Sequence, residues 1–100
     1  RVWCNPPYGK QTAHWLNKCA RHGNCIALTF ARTETKMFFE SVWHRAEAVF
    51  FIKGRLTFYT VEGKPATNGA GAPSVLIAYG KEAAETLKNC KLKGIYINIK

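Results

Sequence analysis

The stretch Cys25-Ile26-Ala27-Leu28-Thr29-Phe30-Ala31 (CIALTFA) decides the fold class. It is a short apolar run with no polar-apolar alternation. A strand with one wet face alternates, so a run like this suits a strand covered on both faces, as in a parallel sheet. Ala48 to Ile52 (AVFFI) and Ser74 to Tyr79 (SVLIAY) repeat the pattern, and Val2-Trp3-Cys4 reads as the tail of another buried strand.

Helices fall between these runs. From Thr12 to Arg21, Ala13, Leu16 and Ala20 share one helical face, with Trp15 and Cys19 flanking it. His22-Gly23-Asn24 ends that helix, and Gly23 suits a left-handed cap. After CIALTFA, either Thr33 or Thr35 can cap a second helix, with Glu34 near its positive end. This helix is expected to run to about Arg45, burying Phe38, Val42 and Trp43, with Phe39 within reach of the same core. Gly54 breaks the AVFFI strand, and Leu56 to Val61 alternates as a more exposed strand. Glu62 to Pro73 is a Gly- and Pro-rich loop. Lys81 to Lys88 reads as a helix and Ile95 to Ile99 as a last alternating strand.

Strand-helix-strand-helix-strand predicts an α/β layered sheet of parallel strands ending in an antiparallel edge. In such a sheet the ligand crevice lies at the carboxyl ends of the strands. Asn5 to Tyr8 and Arg32-Thr33 both follow strands and are expected on that one rim.

The chain has 100 residues, enough for one small domain. Its net charge is +9 and 47% of its residues are hydrophobic, which suits a packed domain with a polyanionic partner. All six acids are Glu, so an oxygen-rich Mg²⁺ or Ca²⁺ site is not expected. The four cysteines form no Cys-x-x-Cys pair, and His14, His22 and His44 have no ligand spacing. No metal is therefore expected, and the thiols read as reduced and mostly buried in a cytoplasmic protein. No long apolar run suggests a membrane partner.

Asn5-Pro6-Pro7-Tyr8 after a strand is the sharpest chemical signal. An amine attached to a flat conjugated group is a poor nucleophile, because its lone pair is delocalised. An enzyme that accepts both N–H bonds returns electron density to the nitrogen. The Asn5 side-chain oxygen can accept one and the Pro6 carbonyl the other. Two prolines hold the loop rigid, and the Tyr8 ring offers a stacking face. The plain structural alternative is a proline-stiffened turn at a sheet edge.

The blocks VWCNPPYGK, LTFARTETKMFF, FFIKGRLTFYT and APSVLIAYG together resemble the phage-type adenine-specific DNA methyltransferases, often described as Dam-like, over about Val2 to Gly80. The resemblance implies methyl transfer from S-adenosylmethionine to the 6-amino group of adenine, flipped out of double-stranded DNA. It implies that Asn5, Pro6, Pro7 and Tyr8 form the catalytic loop and that Asn5 and Tyr8 lie near the donor methyl. It implies a Rossmann-like sheet entered at its fourth strand and, for a phage enzyme, the cytoplasm of a bacterial host. The family's glycine-rich or acidic cofactor loop has no counterpart here. Residues 1–100 are thus expected to form a single partial catalytic domain that lacks the N-terminal cofactor-binding half.

Arg32, Thr33, Lys53 and Arg55 are candidate nucleic-acid contacts from their place on the rim or beside a strand break. Each has a bland alternative: a solvated cation, or for Thr33 a helix cap. Lys88, Lys91, Lys93 and Lys100 read as one solvated basic face that adds non-specific attraction for DNA. Three rival functions remain at this stage: an RNA-base methyltransferase, a protein-glutamine methyltransferase, and an inactive, basic nucleic-acid-binding remnant.

Overall fold

A computed structural model describes residues 2–6, 9–54 and 73–100. Strands β1 (Val2–Cys4), β2 (Cys25–Phe30), β3 (Ala48–Ile52), β4 (Ser74–Tyr79) and β5 (Gly94–Asn98) form one sheet in the order β1-β2-β4-β3-β5. Helix α1 (Thr12–His22) follows β1 and α3 (Lys81–Lys88) follows β4. Helix α2 (Lys36–Phe38) is a single α turn that continues into a π-helical turn, Phe39–Trp43. The anticipated strand at 56–61, the loop as far as residue 72, and Arg1, Pro7, Tyr8 and Arg55 lie outside the described residues.

The expectation of parallel strands ending in an antiparallel edge is met only in part. β1 and β2 are parallel, with Cys4 opposite Ala27. β4 is antiparallel to both β2 and β3, and β3 is antiparallel to β5. The reversed strand thus lies inside the sheet, between β2 and β3, and β5 alone is an antiparallel edge. The apolar run SVLIAY marked a strand with two covered faces correctly: all six of its residues are buried. Two covered faces fix a central position, not a direction, and direction is where the reading failed. One property of the parallel scheme survives. β1, β2 and β3 all point the same way, so their carboxyl ends share one edge, the upper edge below.

Helices cover both faces. On one, Leu16 and Cys19 of α1 pack with Phe38, Val42 and Ala46 against Cys25, Ala27, Val49, Val75, Ile77 and Tyr79. On the other, Ala83, Ala84 and Leu87 of α3 pack on Ile26, Leu28, Ala48, Phe50, Leu76 and Ala78. A correction concerns β1, which was read as buried. It is the edge strand, and Trp3 is 61% exposed, because β1 has β2 on one side and no other described strand on the other. Phe39 is also misread: it is 48% exposed, since the π-helical turn carries it off the core face.

The start of the second helix resolves to Thr35. Its hydroxyl oxygen accepts the Phe38 N–H at 3.2 Å, and its hydroxyl donates to the Arg32 carbonyl at 2.9 Å. In the π-helical turn the His44 N–H reaches the Phe39 carbonyl, while the Arg45 and Ala46 N–H groups both go to Val42. The Ser41 carbonyl is instead taken by the buried Tyr79 hydroxyl, at 2.5 Å. Burial raises the Tyr79 phenol pKa well above its usual value.

The lower edge is tied backbone to backbone. Gly23 adopts φ +83 as the left-handed cap of α1, its N–H bonded to the Cys19 carbonyl. Gly80, at φ +102, lies so close that a Cβ there would run into the Gly23 carbonyl. Val2 N–H donates to Asn24, Glu47 N–H to Ala78, and Ile99 N–H to Glu47.

Candidate active site

Asn5 and Pro6 leave the sheet at its upper edge. β1 ends opposite Ala27, while β2 runs on to Phe30. Asn5 and Pro6 therefore turn away from the sheet at about the level of Leu28 and Thr29, leaving a step of about 10 Å at the usual strand rise. Beside that step is a cavity of about 320 Å³ lined by Gly9, Thr12, Thr29, Phe30, Arg32 and Met37. Asn5 is exposed and no described residue hydrogen-bonds to its side chain, whereas Pro6 is buried. A carboxamide at liberty on an anchored loop is the arrangement that acceptance of an amine proton needs.

Arg32 also stands at this edge, as anticipated. Its guanidinium lies over the Phe30 ring at 5.7 Å and contributes to the cavity wall. This cation–π contact leaves the exposed N–H fork open to an anion. Thr33 is on the edge but not in the cavity. Its carbonyl accepts the Trp43 indole N–H at 3.4 Å, and it lines a separate hollow with Glu34, Phe39 and Trp43. Lys53 is exposed at the carboxyl end of β3, at the level where β2 ends. Pro7, Tyr8 and Arg55 belong to the same candidate set but lie outside the described residues.

Thr12, Thr29, Phe30 and Met37 were missed as cavity residues. Thr29 carried a faint signal, being polar within CIALTFA. The others needed three-dimensional placement, since they come from α1, β2 and α2.

Cys4, next to Asn5, packs with Cys19 and Cys25, and all three are free thiols. Burial, with the neighbouring Cys19, pushes the Cys4 thiol up to about 11. Burial, with Cys25 adjacent, pushes Cys19 up to about 12. Thiols held protonated at neutral pH are poor nucleophiles, so these three are packing residues. Among the described residues, no three His, Cys, Asp or Glu side chains group as metal ligands, and no helix is long and apolar enough to cross a membrane.

Together these features define an α/β domain with a buried Pro6 just past a strand end, an uncommitted Asn5 carboxamide and a cationic rim. The chain belongs to the DNA N-6-adenine-methyltransferase (Dam) family, whose model matches residues 1–91. No curated protein and no solved structure matches it. Membership assigns the chain to a family of enzymes that methylate the 6-amino group of adenine in DNA.

Proposed function

We propose that this chain supplies the acceptor side of adenine methylation in double-stranded DNA. The Asn5 side-chain oxygen and the Pro6 carbonyl accept the two N–H bonds of the 6-amino group, and Tyr8 stacks on the base. Withdrawing both protons toward acceptors localises the lone pair on nitrogen and stabilises the positive charge that grows there as the new C–N bond forms. The base reaches the loop by flipping out of the duplex. Arg32, Thr33, Lys53 and Arg55 face the DNA.

One observation carries this reading: β1, β2 and β3 run the same way, so Asn5, Arg32 and Lys53 all leave the sheet on one edge, where Arg32 lines a cavity. The Dam family match supports adenine in DNA as the substrate.

S-adenosylmethionine, when bound, supplies an electrophilic methyl group. The described residues do not fit it well. Glu34 is the carboxylate nearest the ends of β1 and β2 in sequence, and it lies in the hollow with Phe39 and Trp43 instead of the cavity. Among the described residues, no carboxylate is thus available beside Asn5 for a ribose. The donor-holding residues are proposed to belong to a further part of a Rossmann-like sheet, added at the edge of β1, where Val2 and Trp3 are exposed.

The test is transfer of a labelled methyl group to adenine-containing duplex DNA by the longest natural form of the protein, with Asn5→Ala alongside. Loss of one such preorganised partner is expected to lower kcat by about 10²- to 10³-fold. An Asn5→Ala enzyme that kept most of its rate would refute the assignment. Equal or faster labelling of RNA would move the substrate away from DNA.

A further inference from the structure

We infer that the corner where β3 meets β5 grips the DNA backbone, with Lys91 and Lys93 as phosphate contacts; this rests on the reading above. The sequence placed Lys88, Lys91, Lys93 and Lys100 on one basic face, but the fold divides them. Lys100 lies at the lower edge, where its N–H reaches the Glu47 carbonyl and its ammonium donates to the Arg45 carbonyl. Lys93 lies at the upper edge, where its carbonyl accepts the Lys53 N–H at 2.8 Å. Lys88 ends α3, and Lys91 stands on the short crossing from α3 to β5.

Three features single out this corner. First, Lys53, Lys88, Lys91 and Lys93 are all exposed. Second, no Asp or Glu occurs in 48–54 or 86–100, the segments that build it. Among the described residues, the one ion pair is Lys36 with Glu40, on α2 and its π-helical turn. Lys53, Lys91 and Lys93 therefore have no described carboxylate paired with them, whereas Lys88 shares a hollow with Glu47 and Glu85. Third, the corner lies level with the proposed DNA contacts. Ile52 pairs with Gly94, so Lys53 and Lys93 sit side by side, and the β2–β4–β3 register sets Arg32 just past their height.

Spacing makes this a track and not a point. Arg32 and Lys93 are three strand spacings apart, about 14 Å, and Asn5 is one further, about 19 Å. At 3.4 Å per base pair, Lys93 would meet phosphates about five or six pairs from the adenine held at Asn5. Ammonium groups there neutralise phosphates without reading sequence, so they set the register of the duplex and its salt dependence.

The experiment measures binding of the full chain to a labelled duplex of about two helical turns over a range of salt concentrations, by fluorescence anisotropy. Lys91→Gln/Lys93→Gln, with Lys53 intact, is expected to flatten the slope of log affinity against log salt by about 1.8, at about 0.9 per contact. Lys91→Arg/Lys93→Arg should restore it. Lys18→Gln/Lys81→Gln/Lys100→Gln, which removes more charge elsewhere, should leave it close to the parent's. Trimming the duplex to about three pairs on either side of the adenine should abolish the difference between parent and double variant. A double variant that melts like the parent yet keeps the parental slope overturns the inference and spares the function proposed above. Absence of any DNA binding by the parent overturns that function, and this inference with it.

Discussion

Removing one oxygen from Tyr79 tests how the π-helical turn is held. Tyr79 is 1% exposed, and its hydroxyl serves the Ser41 carbonyl, with Ser41 itself 2% exposed. The Arg45 N–H, which would reach the Ser41 carbonyl in a regular α-helix, goes to Val42 instead. Tyr79→Phe therefore strands a buried carbonyl, at a cost of about 1–3 kcal/mol. The ring stays in place, so little apolar burial is lost. For a domain of this size each kcal/mol shifts Tm by about 4–8 °C, and a mid-range loss of about 2 kcal/mol predicts a fall of about 8–16 °C. The assay is urea unfolding followed by circular dichroism, with the slope m unchanged and the midpoint lowered. Tyr96→Phe, on half-exposed β5, serves as a control and should stay within about 0.5 kcal/mol of the parent. A Tyr79→Phe midpoint equal to the parent's would show that the Ser41 carbonyl finds another donor, and the explanation given for the turn would be wrong.

The remaining predictions concern the lower edge and the thiols. Gly80→Ala combines a left-handed φ with a collision against the Gly23 carbonyl, and should cost more than the roughly 1 kcal/mol typical of a surface glycine; a melt within a degree or so of the parent would contradict that packing. Cys4 and Cys19 have pKa values raised by burial, from 9.0 to about 11 and about 12. The unfolded chain thus loses its protons first, so their contribution is whole below about pH 9 and disappears as pH rises through 11 to 12. Urea midpoints should fall across that window, and less so in Cys4→Ala/Cys19→Ala; a midpoint that rose there would reverse the sign.

What was legible in the sequence was local. Lys81 to Lys88 carries its own helical period, Gly23 its own left-handed cap, and AVFFI and SVLIAY their own apolar saturation. Asn5-Pro6 could be placed after a strand because the chemistry of the loop lies in consecutive residues. What was not legible was pairing. Nothing in Ser74 to Tyr79 states that it will slot between β2 and β3 instead of beside its neighbour in sequence. Trp3 was read as buried because apolar strands usually are, and exposure depends on which strands flank it. Thr35 and Thr33 were equivalent on paper; the cap is decided by which hydroxyl reaches the Phe38 N–H. The cavity joins Thr12, Thr29 and Met37 across α1, β2 and α2, a meeting that no spacing rule announces.

The two ends of the sheet differ in how much they are bound to keep. At the lower edge, Gly23, Asn24, Glu47, Ala78 and Gly80 are committed to one another through main-chain contacts that any side chain at Gly80 would break. At the upper edge, Asn5, Arg32, Lys53 and Lys93 are solvated or stacked and owe little to the core. For protein engineering, this separates what must be preserved from what can be varied. On the function proposed above, a library restricted to strand-end residues of the upper edge is expected to alter affinity for DNA while leaving the melting temperature nearly constant, whereas the same number of changes at the opposite end would mostly select for survivors of misfolding.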